Sequence, residues 1–192
     1  MKMYYLFFED SWQNWDGWQD ISQEEREKLA RVFSDHKNKL MEKLKNEHEG
    51  KRTILKYELR DPWCRPIRTI EVRDSDGMNA SFINHRENRT YNYAIDLTVR
   101  NEIIQLIGAY GERMKSPDFI IEDINYLDGD MFSIFLSDHI NSFYFSLYLL
   151  RARTEENSPN GMILIRLLDD IFSLLKNLKV DNAFFQHSWL VK

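Results

Sequence analysis

Between Arg52 and Arg100 the apolar residues recur at every second position, and the stretches separating them are too short for anything but tight connections. Leu55, Tyr57 and Leu59 alternate with Lys56, Glu58 and Arg60; Ile70 and Val72 follow Arg68; Ser81, Ile83 and His85 continue the pattern. The fullest case sets Tyr91, Tyr93, Ile95, Leu97 and Val99 against Asn92, Ala94, Asp96, Thr98 and Arg100. A period of two marks half-buried strands. Parallel neighbours need crossovers of about a dozen residues. The connections through Asp61–Pro66, Asp74–Gly77 and Arg86–Arg89 are shorter, so the pattern predicts an antiparallel meander.

Helical periods flank this block. Ser22 and Glu25 form a Ser-x-x-Glu capping box, which predicts a helix running to about Glu49 with Gly50 as its stop. Its narrow apolar stripe is Leu29, Phe33, His36, Leu40 and Leu44, and the rest of its surface alternates in charge. A second helix is expected over Asn101–Lys115, ending before Ser116-Pro117, and a third over Met162–Leu178 after a polar turn holding Pro159. Met3–Phe8, Phe119–Tyr126, Met131–Leu136 and Ser142–Arg151 read as further strands. The last of these is apolar on both faces, as a covered central strand would be. The tail from Asn182 to Val191 carries Phe184, Phe185 and Trp189 and is expected to dock.

Together these elements predict an α+β fold: a single domain over residues 1–192, a mainly antiparallel sheet with about three helices packed on it, and a weak lobe boundary near residue 100. Hydrophobic residues make up 43% of the 192, enough for a core, with 7 Gly and 4 Pro, too few for a disordered or collagen-like chain. Cys64 is the single cysteine, so no internal disulfide forms, and a reducing, cytoplasmic compartment is expected. The apolar start is broken by Glu9 and Asp10 before it reaches signal-peptide length, and Phe143–Leu150 is far short of the roughly 18 residues of a membrane span.

Catalytic signatures are missing: there is no phosphate-binding glycine loop, no G-x-S-x-G, no H-E-x-x-H and no C-x-x-C. His36, His48, His85, His139 and His187 lack metal-ligand spacing, although His85 and His139 could meet through space beside carboxylates. Asp74-Ser75-Asp76-Gly77 and Asp128-Gly129-Asp130 have the oxygen density of cation sites but not the EF-hand spacing, and read first as turns. Arg60 and Arg65 would favour a Cys64 thiolate, but no histidine partner is evident in sequence. The pattern therefore favours a binding protein over an enzyme, with no cofactor and no metal expected.

Charge is the more informative layer. Lys and Arg total 26 against 31 Asp and Glu, a net of −5, which argues against general coating of nucleic acid. Residues 51–73 hold seven cations and three acids, residues 116–140 hold six acids and no Lys or Arg, and residues 1–25 hold six acids and one Lys. Within the first acidic block Trp12, Trp15 and Trp18 recur at a spacing of three beside Asp16. Indole rings flanked by carboxylates suit a cationic guest and are common at binding hot spots. The expected partner-binding residues are Trp12, Trp15, Asp16, Trp18, Glu122, Asp123, Asp128 and Asp130, with Arg60, Arg65 and Arg68 as an anion-binding candidate.

A small, acidic, motif-free α+β chain of this kind resembles in general character the bacterial immunity proteins, and equally the anti-defence proteins of mobile elements. The resemblance implies a non-enzymatic inhibitor that neutralises a partner protein, often a basic nuclease toxin. It rests on character rather than on any residue motif and transfers no site. The alternative is a sensor or enzyme for an anionic or nucleotide-like ligand, with a pocket lined by His85, Tyr91, Tyr93, Arg68 and Arg100. A third reading gives the basic hairpin over Arg52–Arg73 to RNA or DNA.

Overall fold

The computed structural model describes residues 2–6, 22–61, 65–116, 119, 131–148, 159–180 and 184–185. In chain order the elements are β1 (Lys2–Leu6), α1 (Gln23–Lys51), β2 (Thr53–Arg60), β3 (Pro66–Arg73), β4 (Met78–Asn84), β5 (Arg89–Ala94), α2 (Leu97–Met114), β6 (Met131–Ser137), β7 (Asn141–Tyr148) and α3 (Pro159–Lys176). The seven strands form one sheet in the order β1-β7-β6-β2-β3-β4-β5. Six of them are joined antiparallel, and β1 is added in parallel beside β7. This is the expected α+β architecture with the expected meander over β2–β5.

After β5 the chain crosses back through α2 and lays β6 against the free side of β2, pairing Leu55 with Leu136, Tyr57 with Ile134 and Leu59 with Phe132. The β2–β6 ladder thus joins strands that lie on either side of residue 100 in the sequence. Alternation sends Leu55, Tyr57, Ile70, Val72, Ala80, Phe82, Ile134, Leu136 and Phe143 to one face, where all are buried. Two helices cover that face. α2 contributes Ile103, Ile107 and Met114, and α3 contributes Leu164, Leu167, Leu168, Ile171 and Leu175. The two pack side by side, and the Tyr110 hydroxyl on α2 donates to Asp170 on α3 at 2.8 Å. Gly111 lets α2 approach β7: a Cβ there would lie 3.0 Å from the Phe143 ring. Of the tail, Phe184 and Phe185 are described, and both are buried edge-on against Phe82 at 5.6 and 5.8 Å; Trp189 lies outside the described residues.

Element ends differ from expectation in three places. Gly50 does not stop α1; the helix runs to Lys51, and Arg52 takes the left-handed turn at φ 51°. Arg52 tolerates that backbone because Asp74 pins it twice: the Asp74 N–H donates to the Arg52 carbonyl at 2.9 Å, and the guanidinium donates to the carboxylate at 2.7 Å. The alternation over Ile95, Leu97 and Val99 is not strand: β5 ends at Ala94, Asp96 is the N-cap, and α2 starts at Leu97. The helical stripe Arg100, Ile103, Ile107, Gly111 and Met114 wins because it is the face that is buried. Pro159 opens α3 rather than belonging to the preceding turn, as suits a residue without an N–H in the first helical turn. Of the strand candidate at 119–126, only Phe119 is among the described residues, buried with its ring 6.3 Å from that of Phe145.

The N-terminus of α1 is as read. The Ser22 N–H and hydroxyl donate to Glu25 Oε2 at 3.0 and 2.7 Å, and the Glu25 N–H donates back to the Ser22 hydroxyl at 3.3 Å. These bonds hold the Glu25 carboxyl below its ordinary pKa. Among the described side chains of α1, those from Gln23 to Lys43 are exposed, whereas Leu44 and His48 near its end are buried. No described helix is long and apolar enough to cross a membrane.

Candidate functional site

The second face of the sheet carries the residues that alternate with the core. Lys56, Glu58 and Arg60 of β2 lie beside Thr69, Glu71 and Arg73 of β3, with Lys56 opposite Glu71 and Glu58 opposite Thr69. On the other side of β2, Ser133 and Phe135 of β6 continue the rows, and Tyr144 of β7 lies opposite Phe135. Strands place opposite signs at i and i+2 on one face, so each carboxylate meets the next guanidinium along its own strand. Arg60 Nε donates to Glu58 at 2.6 Å. Arg73 grips Glu71 with two parallel bonds, Nε at 3.1 Å and Nη2 at 2.8 Å. This bidentate hold raises the Arg73 pKa above its ordinary value.

Both carboxylates are buried, Glu58 at 9% and Glu71 at 7% exposure, so each needs its remaining lone pairs met. Thr69 donates to Glu58 at 3.4 Å and Thr53 donates to Glu71 at 3.4 Å. The Thr69 oxygen also lies 2.8 Å from His85 Nε2, giving a chain from exposed His85 through Thr69 to Glu58 and Arg60. With a proton on Nε2, His85 donates to the Thr69 oxygen, and the Thr69 hydroxyl donates to Glu58. Burial raises the Tyr144 phenol above its ordinary pKa, outweighing its bond with the Ser133 hydroxyl at 3.4 Å. At one margin of this face the end of α1 closes down: His48 stacks on Phe135 at 4.0 Å, and Lys56 reaches Glu47 at 3.2 Å.

A second charged cluster sits where the β3–β4 turn meets α2. Asp74 receives Arg52 at 2.7 Å, Arg100 at 3.1 Å and His139 at 3.1 Å. Arg100 also donates to the Ser75 carbonyl at 2.9 Å and lies 3.7 Å from Asp76. The turn whose oxygens suggested a cation site thus takes a guanidinium from its own chain. His139, at φ 71° in the β6–β7 turn, is steadied by Asp138, which accepts from the N–H groups of Ile140 and Asn141 at 2.9 and 2.6 Å. Among the described residues no three His, Cys, Asp or Glu side chains converge on a metal position.

The structure separates the remaining sequence candidates. Arg60 is engaged with Glu58 on the polar face, Arg65 holds Asp61 at 2.8 Å in the loop after β2, and half-buried Arg68 shares the opposite face with Ile70 and Val72. Tyr91 and Tyr93 lie edge-on to Phe184 and Phe82 on the helix side, Arg100 is buried at Asp74, and His85 bonds Thr69 on the other side. His85 and His139 belong to different clusters. Trp12, Trp15, Asp16, Trp18, Cys64, Glu122, Asp123, Asp128, Asp130 and His187 lie outside the described residues. The reading from sequence missed the Glu58–Thr69–His85 chain and the role of Glu71. The available signal was the alternation of sign at every second residue in Lys56-Glu58-Arg60 and Glu71-Arg73.

Comparison with known proteins adds no relative: no family model matches the chain, and no curated protein or solved structure matches it.

Proposed function

We propose that this chain is a non-enzymatic protein-binding module, an inhibitor of the immunity or antitoxin kind that captures a basic protein partner such as a bacterial toxin. The contacts are assigned to Trp12, Trp15, Asp16 and Trp18 together with Glu122, Asp123, Asp128 and Asp130. One observation carries the reading. Five of the seven cations between Lys51 and Arg73 are held by the chain's own carboxylates: Arg52 by Asp74, Lys56 by Glu47, Arg60 by Glu58, Arg65 by Asp61 and Arg73 by Glu71, each within 3.2 Å. Most of the cations of this block are thereby engaged where they stand, and the chain as a whole carries a net charge of −5. A nucleic acid or anionic ligand meets cations already engaged, whereas a basic protein is drawn to the acidic blocks by electrostatic steering.

The test uses the full chain as bait in its source cells at low and moderate salt, beside a Trp12/Trp15/Trp18 triple alanine variant and an Asp128→Lys/Asp130→Lys variant, both checked for folding by circular dichroism. The expected result is one basic protein, recovered stoichiometrically by the parent, weakened by salt and lost with both variants. Recovery of the same protein by both variants would remove these residues from the interface. A co-purifying small molecule or nucleic acid in place of a protein would overturn the proposal.

A further inference from the structure

The seven-stranded sheet ends on one side at β5, and among the described residues that edge is open. Arg89, Thr90, Tyr91, Asn92 and Ala94 are exposed and only Tyr93 is half-buried, so the outer side of β5 faces solvent. Among the described residues no strand pairs with it there. An unpaired edge is a template for another strand, and proteins that must stay apart blunt such edges with proline, inward charge, mid-strand bulges or extreme shortness. β5 has no proline, and its one charge, Arg89, stands at its first position. Its one irregularity against β4 falls at the far end, between Met78 and Ala80. The strand is also rich in residues that favour pairing, with Thr90, Tyr91 and Tyr93 at its centre.

We infer that β5 is a homodimerisation edge: two copies of this chain join β5 to β5 antiparallel, making one continuous sheet. The sequence of the strand selects its own copy as occupant. A two-fold axis perpendicular to the sheet keeps each copy's helices on the same side, so paired residues must share a face. Arg89, Tyr91 and Tyr93 share the helix side with their β4 neighbours Asn84, Phe82 and Ala80. The register centred on Tyr91 therefore sets Tyr91 against Tyr91 of the second copy, Thr90 against Asn92 and Arg89 against Tyr93. Each pairing is favourable: aromatic on aromatic at the axis, two hydrogen-bonding side chains beside it, and a guanidinium over a phenol ring at each end. Arg89 gives up little, because its ion pair with Glu87 is 3.4 Å long and exposed on both sides.

Charge beyond the ladder agrees with the same arrangement. Antiparallel pairing carries the end of β5 in one copy towards the start of β5 in the other. The exposed Asp96, which makes no side-chain cap bond on α2, then approaches the turn bearing the exposed Arg86. No like charges are brought opposite each other. Leu97, 60% exposed one residue further on, adds apolar area to the same margin. A ladder of this length is a small interface, so the dimer is expected to be concentration-dependent, with a Kd in the micromolar range. The inference is independent of the capture proposal, whose residues lie elsewhere in the chain.

Sedimentation velocity of the full chain over a concentration series is the test. The parent should pass from monomer to dimer. A Thr90→Lys/Asn92→Lys variant, which faces lysines against lysines across the axis on the exposed side of the strand, should weaken the dimer at least tenfold with an unchanged circular dichroism spectrum. Register is read separately in a Cys64→Ser background: mild oxidation should cross-link Tyr91→Cys chains and leave Thr90→Cys chains uncrosslinked. A parent that stays monomeric throughout, a dimer that survives the double lysine variant, or equal cross-linking at Thr90→Cys would each overturn the inference.

Discussion

Arg100 shows how one residue ties distant parts of this chain together. It enters on the first turn of α2, is buried, and binds Asp74 at 3.1 Å and the Ser75 carbonyl at 2.9 Å, so it fixes the helix to the β3–β4 turn. Replacing it with methionine keeps much of the volume but strands Asp74 with fewer donors. We expect Arg100→Met to cost about 3 kcal/mol in urea unfolding, the range for breaking a buried pair; a loss below about 1 kcal/mol would mean that Arg52 and His139 suffice. Two glycines of the same helix make a paired prediction. At Gly108 an added Cβ meets Asp138 at an ordinary 3.6 Å, whereas at Gly111 it lies 3.0 Å from the fully buried Phe143 ring. Gly108→Ala should therefore stabilise by up to about 1 kcal/mol through helix propensity. Gly111→Ala should destabilise by about 1 kcal/mol, because overpacking outweighs that gain; thermal unfolding of the pair side by side checks the opposite signs.

For the elements, the capping box of α1 carries a pH dependence whose direction follows from Glu25. Its carboxyl is held below the ordinary value of 4.5 by the Ser22 bonds, so the cap is fully formed above that value and is lost as pH falls through the depressed one. Amide protection at residues 22–27, taken relative to the intrinsic exchange rate at each pH, should fall below that point in the parent and should be low at every pH in Ser22→Ala. Phe184 makes a second case: buried against Phe82, it should cost about 3 kcal/mol when truncated to alanine, measured by the unfolding midpoint. That helix start was legible because Ser22 and Glu25 sit at the spacing the cap requires. Its end was not, because the left-handed turn went to Arg52 on the strength of Asp74, a partner 22 residues away. The β5–α2 junction misled for a related reason. β5 is an edge strand whose alternation reports no burial, so the same period running on through Leu97 and Val99 carried no information. Strands β2 and β3 were legible because their alternation is strong, and β7 because its run is apolar on both faces.

For the whole molecule, the pattern of charge in sequence and the pattern in space are different things. The seven cations of residues 51–73 looked like a patch, but alternation on β2 and β3 delivers them beside Glu58 and Glu71, and turns deliver Arg52 and Arg65 beside Asp74 and Asp61. Pairing across strands and turns is decided by register, which a linear count of charges does not contain. The consequence is directional: Glu58→Gln/Glu71→Gln should release Arg60 and Arg73 and give the chain a retention on heparin that the parent lacks. That this protein offers acidic charge to its partners is checked by titrating the labelled full chain with polylysine and with a single-stranded oligonucleotide in the same buffer, following fluorescence anisotropy as salt is raised. Polylysine should bind in a salt-sensitive way, and less tightly in Asp128→Lys/Asp130→Lys, whereas the oligonucleotide should not bind. Oligonucleotide binding that disappears in Arg65→Ala or Arg68→Ala would contradict it.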